Sequence, residues 1–557
     1  MPFMLLAFFH MLGTWANECR CFPGDSCWPP PASWASLNSS VGGRLIATIP
    51  LGSPCHDPNY NAAVCESLRE NWFYPPEHYN SSSSEMAPFY QSCTPFSPMS
   101  SPCLLGGYVD FAINVSSPSH IASGIAFATK NNVRLVIRNT GHDYYGKSSG
   151  AGALAIWTHH LKSIEFNDYN GPKYKGKAIR MGAGVQGFEA YSGASKVGLS
   201  VNGGECPTVG LAGGYTQGGG HSPISSKYGL AADQVLEWEV VTGTGQLITA
   251  SPFENSDLYW ALSGGGGGTY GVVWALTSKA HVDIPVSGAN ITFSRKGLST
   301  DTYYTAVRAW HNILPQIVDA GGTAIYWVTN ETFELSPFTG PGISASQARE
   351  LLRPFTDVLG GLGIKYNMTG PTTFPSYLQD YNNFFFPYQV GIYQFGGRLI
   401  PRSVVENNLD GFMAALKNII EQTAGPCSFI GVVLNVNKTV AGDVDNAVLP
   451  AWRDALISAN LNTIWDFSAP LSDMVALQKL MTNVLLPQLE VITPGSGTYL
   501  NEGDPYQPNW QDTFYGTNYQ RLRSIKAVYD PNNIFYATTA VGSDDFEIDS
   551  RGALCKI

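Results

Sequence analysis

Two side chains that carry nucleophilic atoms, His142 and Cys206, stand 64 residues apart in glycine-containing turns. His142 lies in Val136-Ile137-Arg138-Asn139-Thr140-Gly141-His142-Asp143-Tyr144, where an apolar run predicts a buried strand that stops abruptly at polar residues and glycine. Cys206 lies in Gly203-Gly204-Glu205-Cys206-Pro207-Thr208-Val209-Gly210, with Gly213-Gly214 and Gly218-Gly219-Gly220-His221 behind it. Imidazole nitrogen and thiolate are nucleophiles. Repeated glycines let the backbone approach a flat ligand or a phosphate with N–H groups pointing inward. Taken singly, His142 also reads as the end of a strand and Cys206 as a buried structural thiol. Together, in order and inside two glycine frames, they point to chemistry.

A third glycine segment supports them. Asp257-Leu258-Tyr259-Trp260-Ala261-Leu262 leads into Gly264–Gly268 and then Thr269-Tyr270-Gly271-Val272-Val273. A helix, a glycine run and an apolar strand in that order predict a phosphate-cradling loop.

These segments resemble the berberine-bridge-enzyme-like branch of the vanillyl-alcohol-oxidase flavoproteins, which carry a bicovalently bound FAD. In that family a strand–turn–His segment supplies the 8α-histidyl link, and a Gly-rich Cys-Pro-Thr-Val segment supplies the 6-S-cysteinyl link. The resemblance therefore assigns the two links to His142 and Cys206. It implies an α+β fold: a two-lobed PCMH-type FAD-binding domain with an α+β substrate domain, an antiparallel sheet covered by helices. It also implies FAD contacts at Arg138, Asn139, Thr140, Gly141 and Asp143, then at Gly203, Gly204, Gly210, Gly214 and Gly220. Further contacts are implied at Gly268, Gly271 and Val273, and at Asn501 and Asn518 near the C-terminus.

In such enzymes the protein supplies a base, a pocket and control over oxygen around the flavin. Family likeness in Tyr499-Leu500-Asn501-Glu502-Gly503-Asp504 offers Tyr499 as the base. A phenol with a pKa of about 10 needs a neighbouring cation or hydrogen bond to serve, so Glu502 and Asp504 remain alternatives. Val209, three positions after Cys206, is expected beside the reactive face of the flavin, where a small side chain leaves room for O2. The implied activity is that of an oxidase, taking hydride from an alcohol, a sugar or a secondary metabolite to flavin N5 and on to O2, giving H2O2. A redox-neutral isomerase or cyclase on the same scaffold is the second reading. A secreted cysteine-rich binding protein is the third. The turn reads Arg-Asn-Thr-Gly-His and the Glu base of the plant alkaloid-forming members is not recognisable, so the plant reaction is not expected.

The chain has 557 residues, which calls for more than one domain. Only 13% of residues are charged and the net charge is −11 without a basic block, which argues against nucleic acid or an anionic membrane as partner. Small molecules and O2 are the expected partners of a monomer. The expected organisation is a signal peptide at 1–16, a Cys-rich lead-in at 17–105, the FAD-binding domain at 106–284, the substrate domain at 285–490 and a closing segment at 491–557 that returns to the FAD domain. The apolar run from Phe3 to Leu12 resembles a secretory signal without its basic start. Cys19, Cys21, Cys27, Cys55, Cys65, Cys93 and Cys103 crowd the lead-in, so disulfides within Cys19–Cys103 are expected in an oxidising compartment. With Cys206 set aside, an odd cysteine is left over. Paired C-x2-C units are absent, so no metal is expected. Sequons at Asn38, Asn80, Asn114, Asn290, Asn330, Asn367 and Asn437 agree with secretion.

Periodicity predicts helices at Ser117–Asn131, Gln186–Val197, Thr302–Leu314 and Ala345–Leu359. It predicts strands at Val133–Ile137, Leu154–Trp157, Ile179–Ala183, Val235–Thr242, Thr323–Thr329 and Phe429–Val436.

Overall fold

The computed structural model describes residues 19–385, 389–422, 426–442 and 444–557. The segment expected as a signal peptide lies outside the described residues.

The first sheet holds β1 (Leu45–Ala47), β2 (Phe111–Asn114), β3 (Arg134–Arg138) and β4 (Ala153–Trp157) in the order β1-β2-β4-β3. Strands β2, β4 and β3 run parallel, and all of β4 is buried. The helix Pro118–Lys130 links β2 to β3. The Ser117 hydroxyl accepts from the His120 N–H at its start, and Ile121, Ile125 and Ala128 face inward at helical spacing. Gly124 lies on the same face, where a Cβ would run into Ile156 and Ile113 of the sheet.

The second sheet contains β5 (Ile164–Asn170), β6 (Lys175–Gly182), β8 (Val235–Thr242), β9 (Leu247–Ala250) and β10 (Gly271–Lys279), ordered β5-β6-β10-β8-β9 and antiparallel throughout. Short strands β7 (Leu199–Ser200) and β11 (His281–Val282) pair beside it. The expected strand Val235–Thr242 is found as read, and apart from Glu237 and Glu239 all its residues are buried.

The third sheet has seven antiparallel strands. They are β12 (Val286–Ser294), β13 (Thr323–Val328), β14 (Thr332–Pro341), β15 (Asn367–Phe374), β16 (Tyr393–Pro401), β17 (Cys427–Val433) and β18 (Ala455–Ile464), in the order β15-β12-β14-β13-β17-β18-β16. Strand alternation gives it two apolar faces. Ala324, Tyr326, Val328, Phe429 and Val433 join the core under the helices Thr300–Asp319, Ala345–Gly361 and Leu409–Glu421. Ile325, Trp327, Ile430 and Val432 point the other way, toward the first two sheets. Thr300–Asp319 runs five residues past the expected stop at Leu314. Pro315 gives up one backbone hydrogen bond, but Ile317 and Val318 beyond it are buried and hold the last turn.

The closing segment returns to the second sheet. The helix Tyr519–Tyr529 brings in Lys526, whose buried ammonium donates to Asp530 (2.7 Å), Thr269 O (3.1 Å) and Phe535 O (2.9 Å). That ammonium ties the chain end to the strand behind the glycine run.

The disulfides correct one expectation. Cys21–Cys27, Cys55–Cys65 and Cys93–Cys103 close small loops in the lead-in, but Cys19 pairs with Cys555, 536 residues away. The unpaired cysteines are Cys206 and the buried Cys427. A nearest-neighbour reading fails at Cys19 because β19 (Phe546–Ile548) and β20 (Leu554–Lys556) form a terminal hairpin that brings Cys555 against Cys19.

Candidate active site

Strand β3 delivers the turn Asn139–Tyr144 to the seam between the three sheets. Gly141 has a left-handed backbone (φ +78°), and a Cβ there would lie 2.8 Å from the Arg138 guanidinium. Asp143 locks the far side by accepting from the backbone N–H groups of Tyr145 (3.2 Å), Lys147 (2.5 Å) and Ser148 (3.0 Å). His142 emerges between them. Its Nε2 is 2.8 Å from Thr208 Oγ1, and Cys206 Sγ is 3.4 Å from that same oxygen. The two residues therefore meet on one hydroxyl.

Burial, aided by the nearby His78 and Arg138, lowers the His142 pKa to about 3, so its imidazole is neutral. The Cys206 thiol is pushed up by its enclosure, which outweighs its hydrogen bonds to Thr208.

Two adjoining cavities meet at His142, and Cys206 lines the larger of them. The smaller, of about 180 Å³, is a trough. Its walls include Asn139, Thr140, Gly141 and Asp143 from the first turn, Gly210 and Gly214 from the second, and Gly268, Gly271 and Val273 from the third. Its glycines permit backbone-on-backbone contact: a Cβ at Gly267 would lie 2.9 Å from Gly214 Cα. The larger cavity, of about 630 Å³, lies beneath the seven-stranded sheet. His142, Tyr144, Val209, Tyr215, Tyr499 and Glu502 line both.

The polar end of the larger cavity is organised around His221. Its Nδ1 is 3.1 Å from Glu205 and its Nε2 is 2.8 Å from Glu502, whose other oxygen accepts from Asn460 Nδ2 at 2.8 Å. Burial alone would lower the His221 pKa, but Glu205 and Glu502 together outweigh it and hold it well above the ordinary value. Reciprocally, burial would raise Glu502, yet His221 and Asn460 keep it below the usual carboxylate range. Glu502 is fixed from behind, because the Gly503 N–H donates to the Tyr145 hydroxyl (2.5 Å).

Tyr499 is present but differs from the expectation of a base. Burial raises its phenol first and Glu502 raises it further, so it stays protonated. Among the described residues no Lys or Arg lines the larger cavity, and the Lys147 that lines the smaller one is not among the groups that shift the phenol. Asn501 reaches both the Tyr499 hydroxyl (2.8 Å) and Gly214 O (2.9 Å), linking the closing segment to the trough.

Several expected residues stand outside the cavities. Arg138 is fully buried and its guanidinium donates to Glu85 (3.0 Å), His78 O (3.1 Å) and Ser84 O (2.5 Å), so it supports the turn instead of contacting a ligand. Asp504 accepts from Gln478 (2.9 Å), Thr482 (2.5 Å) and the Tyr506 N–H (2.8 Å), and burial lifts its pKa to about 6. Asn518 donates to Ala447 O and Val448 O, each at 3.2 Å. Gly203 packs under Tyr191, and Gly220 against the Tyr215 ring. Gly204 does line the larger cavity.

Sequence reasoning passed over Glu205 and His221 although both flank the glycine motif, and it had no signal for Asn460. Nor did it show that the lead-in supplies a wall, with Tyr74, Met86 and Phe89 facing the larger cavity.

Comparison with known proteins fixes the family. The FAD binding domain family matches residues 109–251, and the berberine and berberine-like family matches residues 498–542. The FAD-linked oxidoreductase patO of Aspergillus clavatus is 50% identical over 547 residues, covering 97% of this chain and 95% of patO. The chain belongs to the berberine-bridge-enzyme-like FAD-linked oxidoreductases. Another member of similar length, the VAO-type flavoprotein oxidase VAO615 of Thermothelomyces thermophilus, is 40% identical over 583 residues, covering 100% of both chains. The crystal structure of VAO-type flavoprotein MtVAO615 from Myceliophthora thermophila C1 superposes with a TM-score of 0.92 at 40% identity, covering 97% of this chain and 100% of that one. The bifunctional decalin synthase calF of Penicillium decumbens is 43% identical over 557 residues, covering 97% of this chain and 96% of calF.

The trough of this berberine-bridge-like oxidoreductase fits FAD by its own chemistry. Asn139 Oδ1 is buried without a protein donor. At Gly214 the side-chain direction is open for 4 Å, which leaves space above the backbone for a flat ring. Membership also decides against the reading as a cysteine-rich binding protein.

Proposed function

We propose that this protein is an FAD-linked oxidase with its flavin tethered at both His142 and Cys206, converting a small-molecule alcohol to a carbonyl with O2 as acceptor and H2O2 as co-product. The observation that carries the reading is the shared Thr208 hydroxyl. It holds the neutral His142 nitrogen and the Cys206 sulfur on one side of the joint between the trough and the larger cavity.

Bound in the trough, the flavin supplies the two-electron redox chemistry. The chain supplies the rest. Glu502 is ionised and faces the larger cavity, so it accepts the substrate hydroxyl proton as hydride leaves the adjacent carbon. His221 and Asn460 fix that carboxylate, and His221 balances part of the local negative charge. Tyr499 serves as a packed hydrogen-bonding wall. Val209 lines both cavities, where a small side chain leaves the approach open to O2. The disulfides support a place in the secretory pathway, since an oxidising compartment favours them.

A second reading, redox-neutral cyclisation, draws support from the 43% identity to a decalin synthase. Peroxide stoichiometry separates the two. One H2O2 per carbonyl formed is the expected result, and product formed without peroxide or O2 uptake would sink the oxidase reading.

A further inference from the structure

Resting on the reading of this site as alcohol-oxidising, we infer that its substrate is an uncharged, largely apolar, ring-bearing alcohol, and that carboxylates and oligosaccharides are excluded. The larger cavity, about 630 Å³, has the size of sites that enclose drug-sized molecules. Its ceiling is the second apolar face of the seven-stranded sheet. Ile325 and Trp327 on β13 stand opposite Val432 and Ile430 on β17, in register. These four side chains lie off the helix-covered core, and besides packing against the core on the opposite face they line the cavity. On another wall Tyr144 and Phe395 stack, centroids 3.9 Å apart and planes 12° from parallel, which presents a flat surface.

The acids and Asn460 are gathered around the His221 imidazole. The other polar lining groups are the hydroxyls of tyrosines such as Tyr393 and Tyr506 and the amides of three glutamines, Gln389 among them. Away from His221, Gln394 and Gln478 are already committed, to Met474 O (3.0 Å) and Asp504 (2.9 Å) respectively. An oligosaccharide would bring many hydroxyls into this chamber, and each buried without a partner costs about 1–3 kcal/mol. At the polar end, the Glu502 carboxylate can only accept, so Asn460 must turn its Nδ2 toward it. That leaves Asn460 Oδ1 buried without a donor, an acceptor for a single substrate hydroxyl.

Charge makes the same selection. Among the described lining residues there is neither Lys nor Arg, and His221 already faces both Glu205 and Glu502. A carboxylate entering the cavity meets two acids and one engaged imidazole. Its charge would go unpaired in an apolar surround, which is strongly unfavourable.

Anaerobic equilibrium binding to the covalently flavinylated protein tests this, read by tryptophan quenching and the flavin absorbance shift. The probes are 2-(2-naphthyl)propan-2-ol, 2-naphthoate and cellobiose. The tertiary alcohol offers the hydroxyl and has no hydrogen on its carbinol carbon to lose. It should bind at least tenfold more tightly than naphthoate, and cellobiose should not bind at millimolar concentration. Trp327→Gln should weaken the alcohol about tenfold, and Glu205→Gln should narrow the alcohol–carboxylate gap by a similar factor, with retained flavin confirming that each variant folds. Equal or tighter binding of naphthoate or cellobiose, or failure of all three to bind, overturns the inference. Selective alcohol binding without peroxide from 2-naphthalenemethanol would instead count against the oxidase reading and uphold the substrate class.

Discussion

Arg138 and Glu85 form an ion pair at 3.0 Å with both side chains fully buried, directly beneath the turn that carries His142. The pair joins the lead-in to β3. Removing one partner of such a pair leaves an uncompensated charge and costs about 3–5 kcal/mol. Glu85→Ala is therefore expected to lower unfolding stability by that amount in urea titration and to reduce the fraction of flavin linked at His142. A double variant, Glu85→Leu with Arg138→Met, should recover part of the stability, less what the buried carbonyls of His78 and Ser84 lose with the guanidinium. An Ala variant as stable as the parent would mean that the pair does not anchor the turn.

The tethering prediction is direct. Acid-precipitated, protease-digested protein should carry flavin on peptides containing His142 and Cys206. His142→Ala should leave one link, and the double variant with Cys206→Ala should release all flavin on denaturation. The pH dependence of loading onto apoprotein differs for the two sites. His142 stays neutral down to about pH 3, so its link should form at similar rates at pH 5 and pH 8. The raised Cys206 thiol requires alkaline pH to ionise, so the second link should speed up as pH rises. Release of free FAD from the parent by acid would refute both links.

Glu502→Gln should lower the rate of anaerobic flavin reduction by roughly 10²–10⁴-fold, the usual contribution of a general base. Tyr499→Phe should lower it far less. The pH signs follow from the shifts. Glu502 is held low, so its contribution to stability is present above its ordinary range and is lost only as pH falls through its depressed value. His221 is held high, so its contribution is complete below about pH 6.5 and fades as pH rises through its elevated value. Activity should therefore show a broad plateau across neutral pH. A maximum confined to acid pH, or equal losses in both variants, would move the base elsewhere.

Val209→Leu should slow reoxidation of photoreduced protein by air, roughly tenfold or more, because the added methylene projects into the space that Val209 leaves open where the two cavities meet. Anaerobic reduction should change little. Slow reoxidation of the parent would point to an acceptor other than O2.

The sequence disclosed most where pattern is local. Leu236-Glu237-Trp238-Glu239-Val240 alternates within its strand, and the turn around Gly141 could be read from residue types alone. His142 and Cys206 were readable as a pair because each carries its own glycine frame. The Glu205–His221–Glu502 array was not, since His221 and Glu502 are separated by 281 positions and meet only when the closing segment folds back. Asn460 sits mid-strand on β18 and looks like any polar residue in a sheet. Arg138 points away from the trough, and its adjacency to the turn in sequence says nothing about side-chain direction. The lead-in gave only its cysteines, and its part in walling the larger cavity depends on packing that no local pattern encodes.

The bond between Cys19 and Cys555 closes all the residues between them into a single covalent ring. One proteolytic nick in a surface turn such as that around the exposed Phe253 opens the ring without releasing a fragment. The two halves of the flavin trough, drawn from segments far apart in the chain, then remain tethered until the disulfide is reduced. Such damage would pass unseen in a non-reducing gel and surface only with thiol.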